Sequence, residues 1–282
     1  MEEQRFPKPR VGGSNPPWGS FLLSLGLAGW GVAAGPVAAY AAEERRVLDL
    51  THELAEGIPV FPGGVPFQLE AVATFDRAGY FANRLELGEH TGTHIDAPIH
   101  FRPDGLAVEQ LSPSQLIGPG VRISVAEEVS ANPDATLDGD ELSAWEHAHE
   151  PIPPGAIVCV QTGWARRWPD EAAYRNTDEQ GVMHFPGVSA EAARWLVERQ
   201  IAGLGIDTFS IDPGSSTTFE AHRILAEANI VVIENLANLD HLPPRGFTVV
   251  VAPLIIRGGS GSPARILAVL EPPTAPSSHP TE

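Results

Sequence analysis

The segment HTGTHIDAPIHF, running from His90 to Phe101, places three histidines and an aspartate at positions 90, 94, 96 and 100. Side chains alternate along an extended backbone, so four even-numbered residues fall on one side of it and can converge on one point. Three imidazoles and a carboxylate converging there would hold a metal ion. A straight strand rises ~3.3 Å per residue and keeps the Cα atoms of His90 and His94 ~13 Å apart, too far for two metal–nitrogen bonds of ~2.0–2.1 Å. The chain must bend between them, and Gly92 is the residue that permits a kink. A helix would bring His90 and His94 together, but it would turn Asp96 away and could not hold Pro98 in its interior. The segment is therefore predicted to be extended and kinked at Gly92.

Around this segment the chain reads as a mixed sheet with helices. Strands are predicted over 47–54, 66–75, 81–90, 120–129 and 156–164, from alternating or branched apolar residues set off by PGG and Asp-Arg-Ala-Gly turns. A helix is predicted over 139–149, where Asp138 and Glu141 make a capping box. From Ser189, an N-cap, a second helix carries Ala193, Leu196, Val197 and Ile201 on one face, followed by a strand over 203–208. A helix over 219–229 then leads into the apolar strand 230–236, and strands over 247–258 and 263–270 close the domain. The fold class is α/β.

The chain has 282 residues, 43% hydrophobic and 19% charged, enough for one large core. Asp and Glu number 36 against 18 Lys and Arg, and the net charge of -18 with a pI near 4.9 would repel phosphate backbones. No nucleic-acid partner is expected. Residues 1–46 read as a leader: Arg5, Lys8 and Arg10 precede an uncharged run from Phe21 to Ala42, with Ala39-Tyr40-Ala41 as a cleavage signal. A signal peptide cleaved near Ala41 would export the protein to the periplasm or beyond. An uncleaved leader would instead anchor it to a membrane, and a misassigned start is the third reading. The domain proper spans 47–270, and the Pro- and Ser-rich 271–282 read as a disordered tail. A lone Cys159 excludes an internal disulfide and reads as a buried strand residue.

Two further groups stand apart from the histidine segment. Glu234 ends the run Ile230-Val231-Val232-Ile233, where a carboxylate either turns to solvent or, if buried, needs a positive partner. His222, on the preceding helix, is either a surface residue or such a partner's neighbour at a metal. The serines in GSSTTF (214–219) and GGSGS (258–262) do not complete the G-x-S-x-G pattern of a nucleophilic serine. His52, His147 and His149 receive no role, the last two reading as residues of an exposed helix face.

Together, H-x-G-T-H-x-D-x-P-x-H at 90–100, DLTHEL (49–54), VFPG (60–63), QTGW (161–164), FPGVS (185–189), and Ala221-His222 with Glu234 twelve residues on resemble the cyclase family. That family includes bacterial kynurenine formamidases and isatin hydrolases, and the resemblance covers Val47 to Leu270. It implies a swivelling β/β/α domain, a homodimer or homotetramer, and one or two bound zinc or manganese ions. By position it implies His90, His94 and Asp96 as ligands of a first metal. His222 and Glu234 would complete a second site, with Asp96 and Glu234 able to bridge, and His100 would transfer protons. The activity implied is hydrolysis of an aryl formamide such as N-formylkynurenine by attack of metal-bound hydroxide. The alternatives are an enzyme opening isatin, another cyclic amide or a lactone, and an exported binding protein without turnover. Phe61, Trp164, His184 and Phe185 lie near family motifs and are candidates to line a pocket for a flat substrate.

Overall fold

The apolar runs at 157–161 and 231–234 form strands with both faces buried, which happens only in the middle of a layered or closed sheet. The structure, a computed structural model, describes residues 46–271. The expected leader up to residue 45, and the expected tail from 272, lie outside the described residues.

The strands are β1 Val47–Asp49, β2 Gln68–Ala73, β3 Ala82–Glu86, β4 His94–Asp96, β5 Ile117–Ser124, β6 Thr136–Leu137, β7 Ile157–Gln161, β8 Gly187–Val188, β9 Gly203–Ile206, β10 Val231–Glu234, β11 Phe247–Pro253 and β12 Gly261–Leu270. The helices are α1 Phe75–Ala78, α2 Ala126–Ala131, α3 Gly139–His149, α4 Glu171–Arg175, α5 Ala190–Glu198 and α6 Glu220–Glu227. The main sheet runs β1-β12-β11-β5-β7-β9-β10-β4, and β4 pairs back onto β12 to close a barrel. β5, β7, β9 and β10 are mutually parallel, and β4 is antiparallel to both of its neighbours.

Strand alternation divides the apolar residues into two cores. Ile95, Ile157, Cys159, Val231, Ile233, Val249 and Ile266 fill the barrel. Val158, Val160, Leu204, Ile206 and Val232 face outward, where Leu142 and Trp145 of α3, Leu196 of α5 and Leu225 of α6 cover them. Barrel inside and helices outside give the mixed α/β architecture that the sequence predicts. Burial pushes the Cys159 thiol up to about 12, so it stays an inert core residue.

α3 has the predicted bounds, and Glu141 accepts from the Asp138 backbone N–H at 2.9 Å. Ser189 caps α5 by accepting from Ala192 N–H at 3.1 Å. Other boundaries differ. The strand expected over 47–54 stops at Asp49, beyond which Thr51 keeps a single bridge to Leu236. The strand expected over 120–129 ends at Ser124, and Glu127 and Glu128 lie in the first turn of α2, where carboxylates favour a helix start. The expected turn at 76–79 is part of the one-turn helix α1, closed by Gly79 at φ 77°. β2 and β3 leave the main sheet and form their own two-stranded sheet with Leu69 opposite Leu85.

Candidate metal centre

β4 carries the centre because it is a barrel strand with a buried outer face. Ile95 points into the barrel, so His94 and Asp96 point out of it. In the antiparallel pairing of β4 with β10, Glu234 lies directly opposite His94, which puts the two side chains on the same face. α6 lies over that face and brings His222 onto it from its first turn. The 3-10 turn Pro98–His100 follows β4 and returns His100 toward Asp96.

The bend before β4 is at Gly92, with φ +70°. A Cβ there would come within 2.5 Å of Leu54 Cδ2, a side-chain end that can move aside, so it is the dihedral angle that calls for glycine. The Gly92 carbonyl accepts from His94 Nδ1–H at 2.9 Å, which turns Nε2 into the cluster. Gly92→Ala is expected to cost about 1–2 kcal/mol in backbone strain alone. It should therefore lower the Tm in a thermal melt and weaken cation binding by displacing His94.

Asp96 is the hub. Its Oδ1 lies 2.7 Å from His90 Nδ1 and 3.3 Å from His94 Nε2. Its Oδ2 lies 3.3 Å from His222 Nε2 and 3.9 Å from His100 Nε2. Glu234 stands between two imidazoles, 3.3 Å from His94 Nε2 and 3.0 Å from His222 Nε2. Donor atoms of His94, Asp96 and Glu234 fall within 4.8 Å of one another, and so do those of His90, Asp96 and His100. All six residues singled out by sequence thus meet around one carboxylate. His90 and His94, expected with Asp96 in the first site, meet the same Asp96 oxygen, and His100 stands beside His90.

The donor set fits a divalent cation. Two buried carboxylates side by side repel each other and need positive charge between them. His94 Nε2 is buried and has no hydrogen-bond partner among the described residues, as a nitrogen aimed at an ion would be. With protons alone to balance the charge, burial would lower the His94 pKa, but the Asp96 and Glu234 carboxylates, each 3.3 Å from Nε2, override it and raise it to about 10. Burial is likewise overridden at His222, which Asp212, Asp96 and Glu234 raise well above 6.5. Burial raises Asp96, but His222, His90 and His94 hold it well below the usual carboxylate range. A cation would take the place of these protons.

A cavity of about 440 Å³ opens onto the cluster and falls in the size range of small-molecule sites. Phe61, Phe101, Phe209 and Phe219 line it, with Asn235, Glu89 and the cluster histidines. Of the aromatic residues expected there, Phe61 lines the cavity while Trp164, Phe185 and His184 do not. Trp164 and Phe185 are buried with Tyr174 and Phe209 in a separate aromatic core. The reason for Trp164 is a long-range contact: Asp207 accepts from Thr162 and Gly163 N–H at 2.8 and 2.9 Å, and the turn it holds sends the indole inward to donate to Tyr174 O at 2.8 Å. His184 is taken up between Asp134 at 2.8 Å and Asp178 at 3.3 Å. His52 stacks on Trp168, and burial lowers its pKa to about 4.

Several residues at the site have no sequence signal of their own. Asp212, ten positions before it in the chain, meets His222 Nδ1 at 2.6 Å. Ser260 Oγ lies 3.1 Å from His90 Nε2 and donates to Glu89 at 2.6 Å. Asn235, at φ 56°, donates to Gly92 O at 2.9 Å and so braces the bend. Only Phe101, adjacent to His100, could have been found from the motif itself.

Comparison with known proteins places this arrangement. The family described as putative cyclase matches residues 48–213. The chain is 36% identical to the isatin hydrolase of Roseibium aggregatum over 80% of its own length and 92% of that protein's. It is 27% identical to the kynurenine formamidase of Paracidovorax citrulli over 81% and 98%. The solved structure of isatin hydrolase A from Ralstonia solanacearum superposes with a TM-score of 0.77 at 39% identity, covering 80% of this chain and 92% of that one. The chain belongs to the cyclase family of metal-dependent hydrolases, of the isatin hydrolase and kynurenine formamidase type.

Proposed function

We propose that the protein hydrolyses the amide bond of a flat aromatic lactam of the isatin type, in preference to the open-chain formamide that the resemblance first brings forward. The lining of the cavity carries this reading. N-formylkynurenine bears an amino-acid carboxylate, yet no Lys or Arg is among the described lining residues to pair with it. Four phenylalanines suit an uncharged bicyclic ring instead. The identity of 36% to an isatin hydrolase against 27% to a kynurenine formamidase supports the same choice.

His90, His94, Asp96, His222 and Glu234 would hold one or two divalent ions, zinc or manganese, which supply Lewis acidity that polarises a carbonyl and lets water ionise near neutral pH. The phenylalanines orient the ring and exclude bulk water from the carbonyl. His100 Nε2, half-exposed at the cavity wall, accepts the proton of the attacking water and returns it to the leaving nitrogen. Water adds oxygen to the carbonyl carbon, the C–N bond breaks, and the nitrogen leaves as an amine beside a new carboxylate.

Export stays part of the proposal, supported by the basic start and the uncharged run from Phe21 to Ala42. So does a homodimer or homotetramer, supported by the exposed Leu69, Phe75, Phe81 and Leu85 on and beside β2 and β3. The activity is tested by screening purified protein, loaded with zinc or manganese, against isatin, N-formylkynurenine and aryl lactones. Isatin should be opened with a kcat/KM at least ~10-fold above that for N-formylkynurenine, and a chelator should abolish turnover until metal is restored. A preference for the formamide would reverse the substrate assignment, and cation binding without turnover of any of them would make this a binding protein.

A further inference from the structure

His94 and His222 both present Nε2 to the two carboxylates, but different groups hold them from behind. His94 donates from Nδ1 to a neutral backbone carbonyl, Gly92 O. His222 Nδ1 lies 2.6 Å from Oδ2 of Asp212, a carboxylate only 3% exposed. Asp212 has a second attachment: it accepts from the backbone N–H of Ala221 at 2.9 Å and of His222 at 3.2 Å. The N-cap residue of α6, Phe219, is in the left-handed region at φ 52° and supplies no side-chain acceptor. Asp212 therefore satisfies the helix start that Phe219 cannot, and one carboxylate fixes both the backbone and the ring of His222.

We propose that Asp212 is a positioning residue for cation binding. It holds the proton of His222 on Nδ1, so the Nε2 lone pair faces Asp96 and Glu234, and its charge makes that nitrogen a stronger donor. This rests on the reading that the cluster binds a divalent cation.

The competing role for Asp212 is a helix cap and nothing more. Calorimetric titration of zinc into metal-free wild type, Asp212→Asn and Ser216→Ala separates the two. Asp212→Asn keeps one carbonyl oxygen for the Ala221 N–H of the helix start but loses the charge and the acceptor facing His222, and its Kd for zinc should rise about 10- to 100-fold. Ser216→Ala removes the hydroxyl that accepts from Phe219 N–H at 3.2 Å at the same helix start. It should lower the Tm and leave the Kd unchanged. Asp212→Asn binding zinc as tightly as wild type, or Ser216→Ala weakening it as much, overturns the proposal. Should Asp212→Asn fail to fold, long-range proton–nitrogen NMR of zinc-loaded wild type decides the matter. A proton on His222 Nδ1 is expected, and zinc on that atom overturns the assignment. Wild type that binds no zinc overturns the reading of the cluster, and this proposal with it.

Discussion

Asp96→Asn is expected to leave the protein without its cation and to lower kcat/KM by about 10²–10³-fold or more, the range seen when one group stabilising the reacting charge is removed. No other side chain of the centre meets so many of the rest. Its two oxygens reach four imidazoles, those of His90, His94, His222 and His100, at 2.7 to 3.9 Å. An amide offers one acceptor where the carboxylate offers two, and its NH2 would present hydrogens to nitrogens that must keep their lone pairs free. The negative charge that draws a cation into a buried site falls by one at the same time. Elemental analysis of the purified variant, set beside initial rates on the preferred substrate, checks both halves of the expectation. Stoichiometric metal with more than about a tenth of wild-type activity would show that Asp96 is not the hub. Glu234→Gln should be milder, because Glu234 contacts only His94 and His222 of the four imidazoles.

That hub was legible in the sequence because its logic is local. Even spacing over seven residues, a glycine where a bend was needed and a proline that excluded a helix fix the relation of His90, His94 and Asp96 before any tertiary contact is known. The bend is there, at φ +70°. Glu234 was legible only through the resemblance to the cyclase family, because a carboxylate ending an apolar strand can equally turn to solvent. What could not be read was register. Nothing in the sequence states that β10 sets Glu234 opposite His94, or that β4 also pairs with β12 to close a barrel. The aromatic residues show the same limit. Trp164 and Phe209 each lie three residues beyond the end of a barrel strand, β7 and β9. Yet Asp207 turns Trp164 inward while Phe209 reaches the cavity, and that depends on hydrogen bonds spanning 44 and 45 residues. Short elements such as α2 were lost because a few residues of apolar alternation from the preceding strand outweighed two glutamates.

His100→Asn separates proton transfer from metal binding, two roles that the geometry leaves close together. His100 Nε2 is 3.9 Å from Asp96 Oδ2, and its ring stacks on that of His90 with centroids 4.1 Å apart. Its donor atom also lies in the group of three with His90 and Asp96. As a shuttle, its replacement by a side chain that does not titrate should lower kcat by about 10²–10⁴-fold while the metal content stays that of wild type. As a ligand, its loss should lower both together. The pH profile gives a second, independent reading. Burial lowers the His100 pKa below 6.5, against the opposing pull of Asp96, and a nearby cation would push it further the same way. The imidazole is therefore neutral at pH 7 and able to accept a proton. In wild type, kcat/KM should fall as the pH drops through that lowered value, because protonation removes the acceptor. In His100→Asn that acidic limb should shift, leaving a low rate whose remaining pH dependence is that of the activated water alone. A limb that survives unchanged in the variant would assign the titration to another group, and the proton would then have to leave the attacking water by a route that does not pass through His100.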